Sequence, residues 1–327
     1  MKLVFMGTPD FAAVSLRALL GLPGVEVLAA YCRPDRPAGR GKKLQSCPVK
    51  RLALEQGLPV FQPENFKAAE ELAVLAGLRA DLFAVAAYGL LLPRAVLDLP
   101  PLGVLNVHAS LLPEYRGAAP IQRAVLNGDK RTGISIMRVE LKLDSGPILL
   151  QRALAIGFEQ NAGEVHDELA ELGGRLLAEA LKRLQAGGLT AVPQDESRAT
   201  YAPKLEKSEG ALVFSESANE THNRVRAFSP RPGARLSLRA QTPAGDSPRP
   251  PLSLLVQKGR PLEEEEDRKI ASLSAPGTVL PLRRGLLPLV CSDALYGVEL
   301  LKPAGGRSMD AAAFVNGYLK DFSWRGA

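Results

Sequence analysis

The sequence predicts an α/β protein, a Rossmann-like, doubly wound and mainly parallel sheet followed by a small OB-like β-barrel. Three observations predict it. Short apolar runs rich in β-branched residues alternate with helical stretches through the first half, the pattern of parallel βαβ units. Residues Glu164 to Gln185 then carry apolar positions at three- and four-residue intervals, as in ELAELGGRLLAEALKRL, which reads as one long amphipathic helix. Beyond about residue 208, short β-prone pieces are separated by proline and glycine turns, the signature of an antiparallel barrel. The expected division is a first domain over 1–187, a linker over 188–207 and a second domain over 208–327.

Taken in order, KLVFM at 2–6 reads as the first strand, GTPD as a turn, and Phe11 to Leu20 as a helix capped by Thr8 or Asp10. VEVLAAY at 25–31, LPVF at 58–61, ADLFAVAA at 80–87 and LGVLNV at 102–107 continue the strands, with TGISIMRV at 132–139 and GPILLQRALAI at 146–156 extending the same sheet. Periodicity is lost after Gly187 and Gly188. The barrel strands are expected within GALVF, ARLSLRA, PLSLLVQK, GTVLPLRR, LLPLVCS and GVELLKPA, and the acidic run EEEED at 263–267 as a solvated loop. No internal repeat stands out.

Composition narrows the function classes. With 327 residues and 46% hydrophobic content the chain can bury two ordinary cores. Its 41 Lys and Arg against 35 Asp and Glu give a formal net charge of +6, which suits a polyanionic partner. Cys32, Cys47 and Cys291 show no metal-binding spacing, and an odd number argues against a disulfide scaffold. A reducing cytoplasm is expected. The N-terminal apolar run is too short for a signal peptide, and no run approaches a membrane span.

The chemistry concentrates in NVHASLLPEYRGAAPIQ at 106–122 and LDSG at 143–146. Asn106 and His108 stand at the end of a buried strand, and the carboxyl edge of an open parallel sheet is where ligands bind. A neutral imidazole moves protons near pH 7, an amide donates to a developing oxyanion, and the Asp144 carboxylate can orient or charge-stabilise the imidazole. Read singly, each residue also fits a structural role: a satisfied histidine, a capping asparagine, a turn-forming aspartate. The segment PDRPAGRGKK at 34–43 matches neither the dinucleotide fingerprint nor the P-loop, and its glycine and proline content also suits an inert surface loop.

NVHASLLP together with LDSG resembles the formyltransferases that use 10-formyltetrahydrofolate, and the continuation YRGAAPIQRAVLNGDKRTGISIM is similar to the members acting on methionyl-tRNA. The resemblance extends through MGTPDFA at 6–12, RPDRPAGRGKKLQSCPVK at 33–50, VAAYGLLLP at 85–93, TYAPKLEKSEG at 200–210, NRVRAFSPRPGA at 223–234 and LLKPAGGRSMDAAAF at 300–314. The chain departs from the pattern at Lys142 (usually Gly), Ser145 (Thr), Glu114 (often basic) and Arg231 (often Trp).

The resemblance implies formyl transfer from 10-formyltetrahydrofolate to the amino group of initiator methionyl-tRNA, by a monomer without metal. It implies Asn106, His108 and Asp144 as the catalytic groups. The pterin is implied to lie against Tyr88, Gly89, Leu90 and Leu91, the loop Ser110, Leu111, Leu112 and Pro113, and Val139 and Glu140. Arg36, Arg40, Lys42 and Lys43 are implied to meet the end of the tRNA, and the second domain to grip its body, with Lys204, Lys207 and Arg226 as candidates. Two other classes remain open: formyl transfer to a small amine, such as glycinamide ribonucleotide or an amino sugar, and a non-catalytic RNA-binding module.

Overall fold

The structure, a computed structural model, describes residues 1–38, 43–242, 245–246, 250–319 and 323–326. It divides into two compact units, one of residues 1–120, 131–155 and 166–203, the other of 121–130, 156–165 and 204–327. Among the described residues no helix is long and apolar enough to cross a membrane.

The first unit opens with β1 (Lys2–Gly7), α1 (Asp10–Leu19), β2 (Glu26–Tyr31), the short pair β3 (Arg36–Ala38) and β4 (Lys43–Gln45), α2 (Pro48–Glu55), β5 (Val60–Phe61) and α3 (Ala69–Gly77). The chain continues with β6 (Leu82–Ala86), α4 (Arg94–Leu97), β7 (Val104–His108), β8 (Arg116–Gly117), α5 (Pro120–Leu126), which belongs to the second unit after its first residue, β9 (Arg131–Arg138), β10 (Ile148–Ala155), α6 (Ala162–Gln185), which belongs to the first unit from His166 onward, and β11 (Tyr201–Ala202). The main sheet has the order β10-β9-β7-β6-β1-β2-β5. Strands β7, β6, β1, β2 and β5 run parallel, while β9 is antiparallel to β7 and β10 to β9. The chain winds outward from β1 in both directions, so the strand order reverses between β1 and β6, where such sheets place their ligands.

Every residue of β6 is buried, as are the last five of β1, because helices cover both faces. One face packs Val4, Met6, Tyr31, Phe83, Val85 and Val104 against Phe66, Leu75, Tyr88 and Val96. Helix α6 buries Leu169, Leu172, Leu176, Leu177, Ala180 and Leu181 along one stripe. Its ends are fixed by an edge-on contact of His166 with Phe11 and by Gln185, whose amide donates to the Gly24 carbonyl. The expected cap of α1 is different. Pro9 precedes the helix without a side-chain cap, and the Thr8 hydroxyl instead donates to the Tyr88 carbonyl at 2.9 Å, tying the ends of neighbouring strands β1 and β6.

The segment read as a linker is structured as far as Pro203. Val192 and Ile148 exchange two backbone hydrogen bonds, and β11 pairs in parallel with β8. Such pairings join residues far apart in sequence, so no local period announces them.

The second unit contains α7 (Ala218–Phe228), opened by a reciprocal Ser217–Glu220 capping box, then β12 (Ala234–Thr242), β13 (Gly245–Asp246), β14 (Leu252–Leu262), α8 (Glu265–Ser272), β15 (Leu287–Val290), β16 (Leu295–Pro303), β17 (Met309–Asp310), α9 (Ala311–Tyr318) and β18 (Ser323–Gly326). Its sheet is antiparallel, in the order β13-β12-β14-β16-β15, with β18 on β12. Single bridges from Val279 to Leu289 and from Thr278 to Arg325 link β15 to β18, so the pairing runs around a closed circuit. Two expected strands reduce to such bridges: GALVF contributes only Ala211, and GTVLPLRR only Thr278, Val279 and Arg283. The acidic run is exposed over Glu263 to Glu266, as expected, but it is not a loop throughout. It opens α8, where acidic side chains complement the helix dipole, and Asp267 is fully buried with its carboxylate 2.6 Å from Arg283 Nε.

The hairpin β9–β10 leaves no room above Gly133, where an added Cβ would overlap the Arg152 carbonyl oxygen and the Leu111 side chain. Gly133→Ala is therefore expected to cost about 2–3 kcal/mol and to lower the thermal midpoint by roughly 5–10 °C. Gly77→Ala, at the open end of α3, is expected to leave it unchanged or slightly higher. Thermal unfolding followed by circular dichroism measures both.

Candidate active site

Strand β7 carries the site. Successive side chains alternate across a strand, so Val104, Asn106 and His108 share one face. In register, Asn106 lies between Val85 of β6 and Met137 of β9, and His108 sits opposite Ser135. Asn106 is half-buried and His108 only 5% exposed. The His108 Nε2 is 2.9 Å from the Tyr115 carbonyl oxygen. A carbonyl only accepts, so Nε2 carries the hydrogen and the neutral ring presents its lone pair at Nδ1. That Nδ1 faces Asp144, with 3.6 Å to Oδ2.

Asp144 arrives from the loop between β9 and β10 with a left-handed backbone, φ 47°. Its Oδ2 accepts the Gly117 backbone N–H at 2.8 Å. Gly117 has φ 118°, and a Cβ there would stand 2.9 Å from the Ala202 carbonyl oxygen, so only glycine fits between the carboxylate and β11.

A fully buried arginine supports this arrangement. Arg116 reaches Gln194 Oε1 through Nε at 3.1 Å and Nη2 at 2.8 Å, and Glu196 through Nη2 at 2.6 Å and Nη1 at 3.2 Å. Gln194 Nε2 in turn donates to the carbonyls of Asp144 and Gly146. Lys142, where the resembling family has glycine, is not left-handed, and its ammonium pairs with Glu196 at 2.6 Å. Hydrogen bonds from Arg116 and then Lys142 hold the Glu196 carboxyl down to about 2. Ser145 bonds back to the Lys142 carbonyl, and Glu114 pairs with Arg198.

The loop 110–113 is tied into the protein's own packing and hydrogen bonds. Ser110 and Leu112 are buried. The Ser110 hydroxyl donates to the Glu114 carbonyl at 2.6 Å, and its own carbonyl accepts from the Ser135 hydroxyl at 2.7 Å. Leu112 N–H donates to Ser135 Oγ, and Gln151 donates to the Leu112 carbonyl and to Ser135 Oγ. Pro113 is buried, and Leu111 lies over Gly133. Ser135 and Gln151 were not foreseen; their only sequence signal is a polar side chain within a β-prone run.

A cleft of about 440 Å³ adjoins the site, lined by Arg94, Leu97, Asp98, Gly103, Val104 and residues 138–142. Of the expected pterin contacts, Val139 and Glu140 line it and Tyr88, Gly89, Leu90 and Leu91 do not. The Tyr88 ring is in the core, Leu90 packs against that core, and the Gly89 carbonyl is taken by Arg33 Nη1 at 3.1 Å. Leu91 is 87% exposed. The catalytic candidates lie outside the cleft lining but share β7 and the 138–144 segment with it.

Among the basic candidates, Arg36, Lys204 and Lys207 are exposed. Lys43 begins β4, and Arg40 and Lys42 lie outside the described residues. The base of this hairpin is fixed by Lys50, which bonds Asp35 at 2.6 Å and Gln62 at 2.7 Å. Arg226 is more enclosed than Arg36, Lys204 and Lys207. It is 6% exposed, its guanidinium donates to the carbonyls of Gly157 and Gln160 and to the Asn223 side-chain oxygen, and burial pushes its pKa down. Arg226 also borders a cleft of about 420 Å³ shared with Gly128, Lys130, Phe158 and Asn223.

The family described as formyl transferase matches residues 1–181, and the formyl transferase C-terminal domain matches residues 204–319. A methionyl-tRNA formyltransferase of Nitratidesulfovibrio vulgaris (strain DP4) is 48% identical over 98% of this chain and 93% of its own length. Another, of Chromohalobacter salexigens, is 50% identical over 97% of this chain and 93% of its own. An N-formyltransferase from Helicobacter canadensis, solved with folinic acid and dTDP-3-aminofucose, has the same fold at 15% identity, with a TM-score of 0.63 over 94% of this chain and all of that one. With residues 1–181 and the C-terminal domain both matched, and relatives near half identity along almost its whole length, the chain belongs to the formyl transferase family, within the methionyl-tRNA formyltransferases.

Proposed function

We propose that this chain moves the formyl group of 10-formyltetrahydrofolate onto the α-amino group of methionine esterified to initiator tRNA, with Asn106, His108 and Asp144 as the catalytic groups. The observation that carries this reading is their convergence: an amide and an imidazole on one strand face, and a carboxylate 3.6 Å from the ring's free nitrogen.

The cleft suits the donor. Its volume of about 440 Å³ falls within the range of small-molecule sites, and it combines apolar Leu97, Val104 and Leu141 with charged Arg94, Arg138 and Glu140, which suits a planar heterocycle rimmed by hydrogen-bonding groups. Val104 is two residues from Asn106 on the same strand face, so a ligand seated there extends along β7 toward His108.

10-Formyltetrahydrofolate supplies an electrophilic formyl carbon. Asn106 donates its amide N–H to the formyl oxygen as negative charge gathers there. His108 Nδ1 takes the proton released when the amine nitrogen bonds to carbon, and returns it to N10 as the old carbon–nitrogen bond breaks. Asp144 faces that proton and holds the imidazole's orientation through the transfer. Exposed Arg36, Lys204 and Lys207 offer cations to the tRNA phosphates, with the second unit gripping the tRNA body. The three free cysteines fit a reducing cytoplasm, where the chain works as a monomer.

The direct test incubates the protein with 10-formyltetrahydrofolate and either methionyl initiator tRNA or small amine acceptors, and identifies the formylated product. Formylation of the small amines alone would reject the RNA substrate. Asn106→Ala, His108→Ala and Asp144→Asn are each expected to lower kcat by about a hundredfold or more while tRNA binding persists; near-normal rates in all three would place the chemistry elsewhere. For the RNA, Arg36→Ala and Lys204→Ala together are expected to weaken tRNA affinity and flatten its salt dependence by about one to two phosphate contacts, leaving donor affinity unchanged. A filter-binding salt series reads this, and an unaltered slope would remove both cations from the interface.

A further inference from the structure

We propose that Gln194 is a positioning residue for Asp144, with Arg116 fixing the direction in which it acts. The inference rests on Asp144 being catalytic. At φ 47° Asp144 occupies the left-handed region, which disfavours residues that carry a side chain, and neighbouring groups hold it there. Gln194 is placed to do so. One amide nitrogen donates to the carbonyls on either side of Ser145, at 2.9 Å to Asp144 and 2.7 Å to Gly146, which fixes the peptide plane that leaves the aspartate and the one two residues further on.

An amide can turn end for end, and the turned form would set its oxygen against those two carbonyl oxygens. Arg116 prevents that. Its guanidinium has donors only and stays charged, and two of its nitrogens reach Gln194 Oε1. Arg116 is fully buried, so this contact is not shared with solvent. The same β8 segment grips Asp144 from the other end, because Gly117, the next residue, donates to its carboxylate. Gln194 itself is held between the Val192–Ile148 bridge and the pairing of β11 with β8. Main chain and side chain of Asp144 are thus indexed to one frame, and the 3.6 Å gap to His108 is the dimension that frame sets.

Two variants test this. Gln194→Glu keeps an oxygen for Arg116 but turns the donor facing two carbonyls into an acceptor; Gln194→Met keeps the length and removes both contacts. Each is expected to lower kcat about 10- to 100-fold, the loss that follows a displacement of about 1 Å at a reacting centre, with the KM for tRNA changed less than about threefold. The decisive readout is coupling: added to Asp144→Asn, Gln194→Glu is expected to change kcat less than about twofold. A near-normal kcat for Gln194→Glu overturns the proposal, and so does a full repeat of its loss in the Asp144→Asn background. Should Gln194→Glu not fold, as judged by its thermal midpoint, Gln194→Met carries the same comparison. Wild-type turnover by Asp144→Asn alone would remove Asp144 from the chemistry, an outcome read independently of Gln194, and the positioning role would fall with it.

Discussion

A guanidinium buried without solvent is the constraint around which the catalytic unit is arranged. Removing a cation from water is costly unless hydrogen-bonding and charged partners surround it. Arg116 obtains those partners from Gln194 and Glu196, about eighty positions further along the chain. That requirement draws the stretch after α6 back to the sheet edge, where β11 lies beside β8, and it leaves room only for a glycine at position 117. The loop bearing Asp144 is caught in the same set of contacts through Lys142 and Gln194. What resembles a spacer by composition is one wall of the site.

Where a single element carries its own pattern, the sequence was informative. The buried runs of β1, β2, β6 and β7 and the stripe of α6 stand within a residue or two of their expected limits, because burial on a regular element imposes a period. The two-residue spacing of Asn106 and His108 likewise places both on one face. Partners across long separations were not legible. Nothing near Ser110 signals that Ser135 will take its carbonyl, and nothing near Tyr88 signals that its ring turns into the core while Thr8 holds its main chain. Other residues lining the cleft were missed for the same reason: Leu97, Gly103 and Arg138 come from three separate parts of the chain, and only their assembly makes a concave surface.

Charge was the least transferable signal. The formal excess of +6 counts Arg226, whose guanidinium is bonded to backbone carbonyls, and Arg224, whose guanidinium is spent on Glu216 and the Glu209 carbonyl. In the acidic run, Glu264, Glu266 and Asp267 are likewise engaged by Arg283 and Arg284. A net charge averages over residues that face solvent and residues that have already found counterparts, and only the former contribute to the field an RNA meets.

The orientation of His108 comes from the Tyr115 carbonyl, and that of Asp144 from the Gly117 N–H and from carbonyls held by Gln194. Tyr115, with φ 59°, contributes through its peptide carbonyl. An alanine scan would therefore pass over much of what aims the two groups, since truncating a side chain leaves the peptide in place. Replacing single peptide links by esters, which deletes one N–H and weakens one carbonyl as an acceptor, would make that hidden half of the machinery visible.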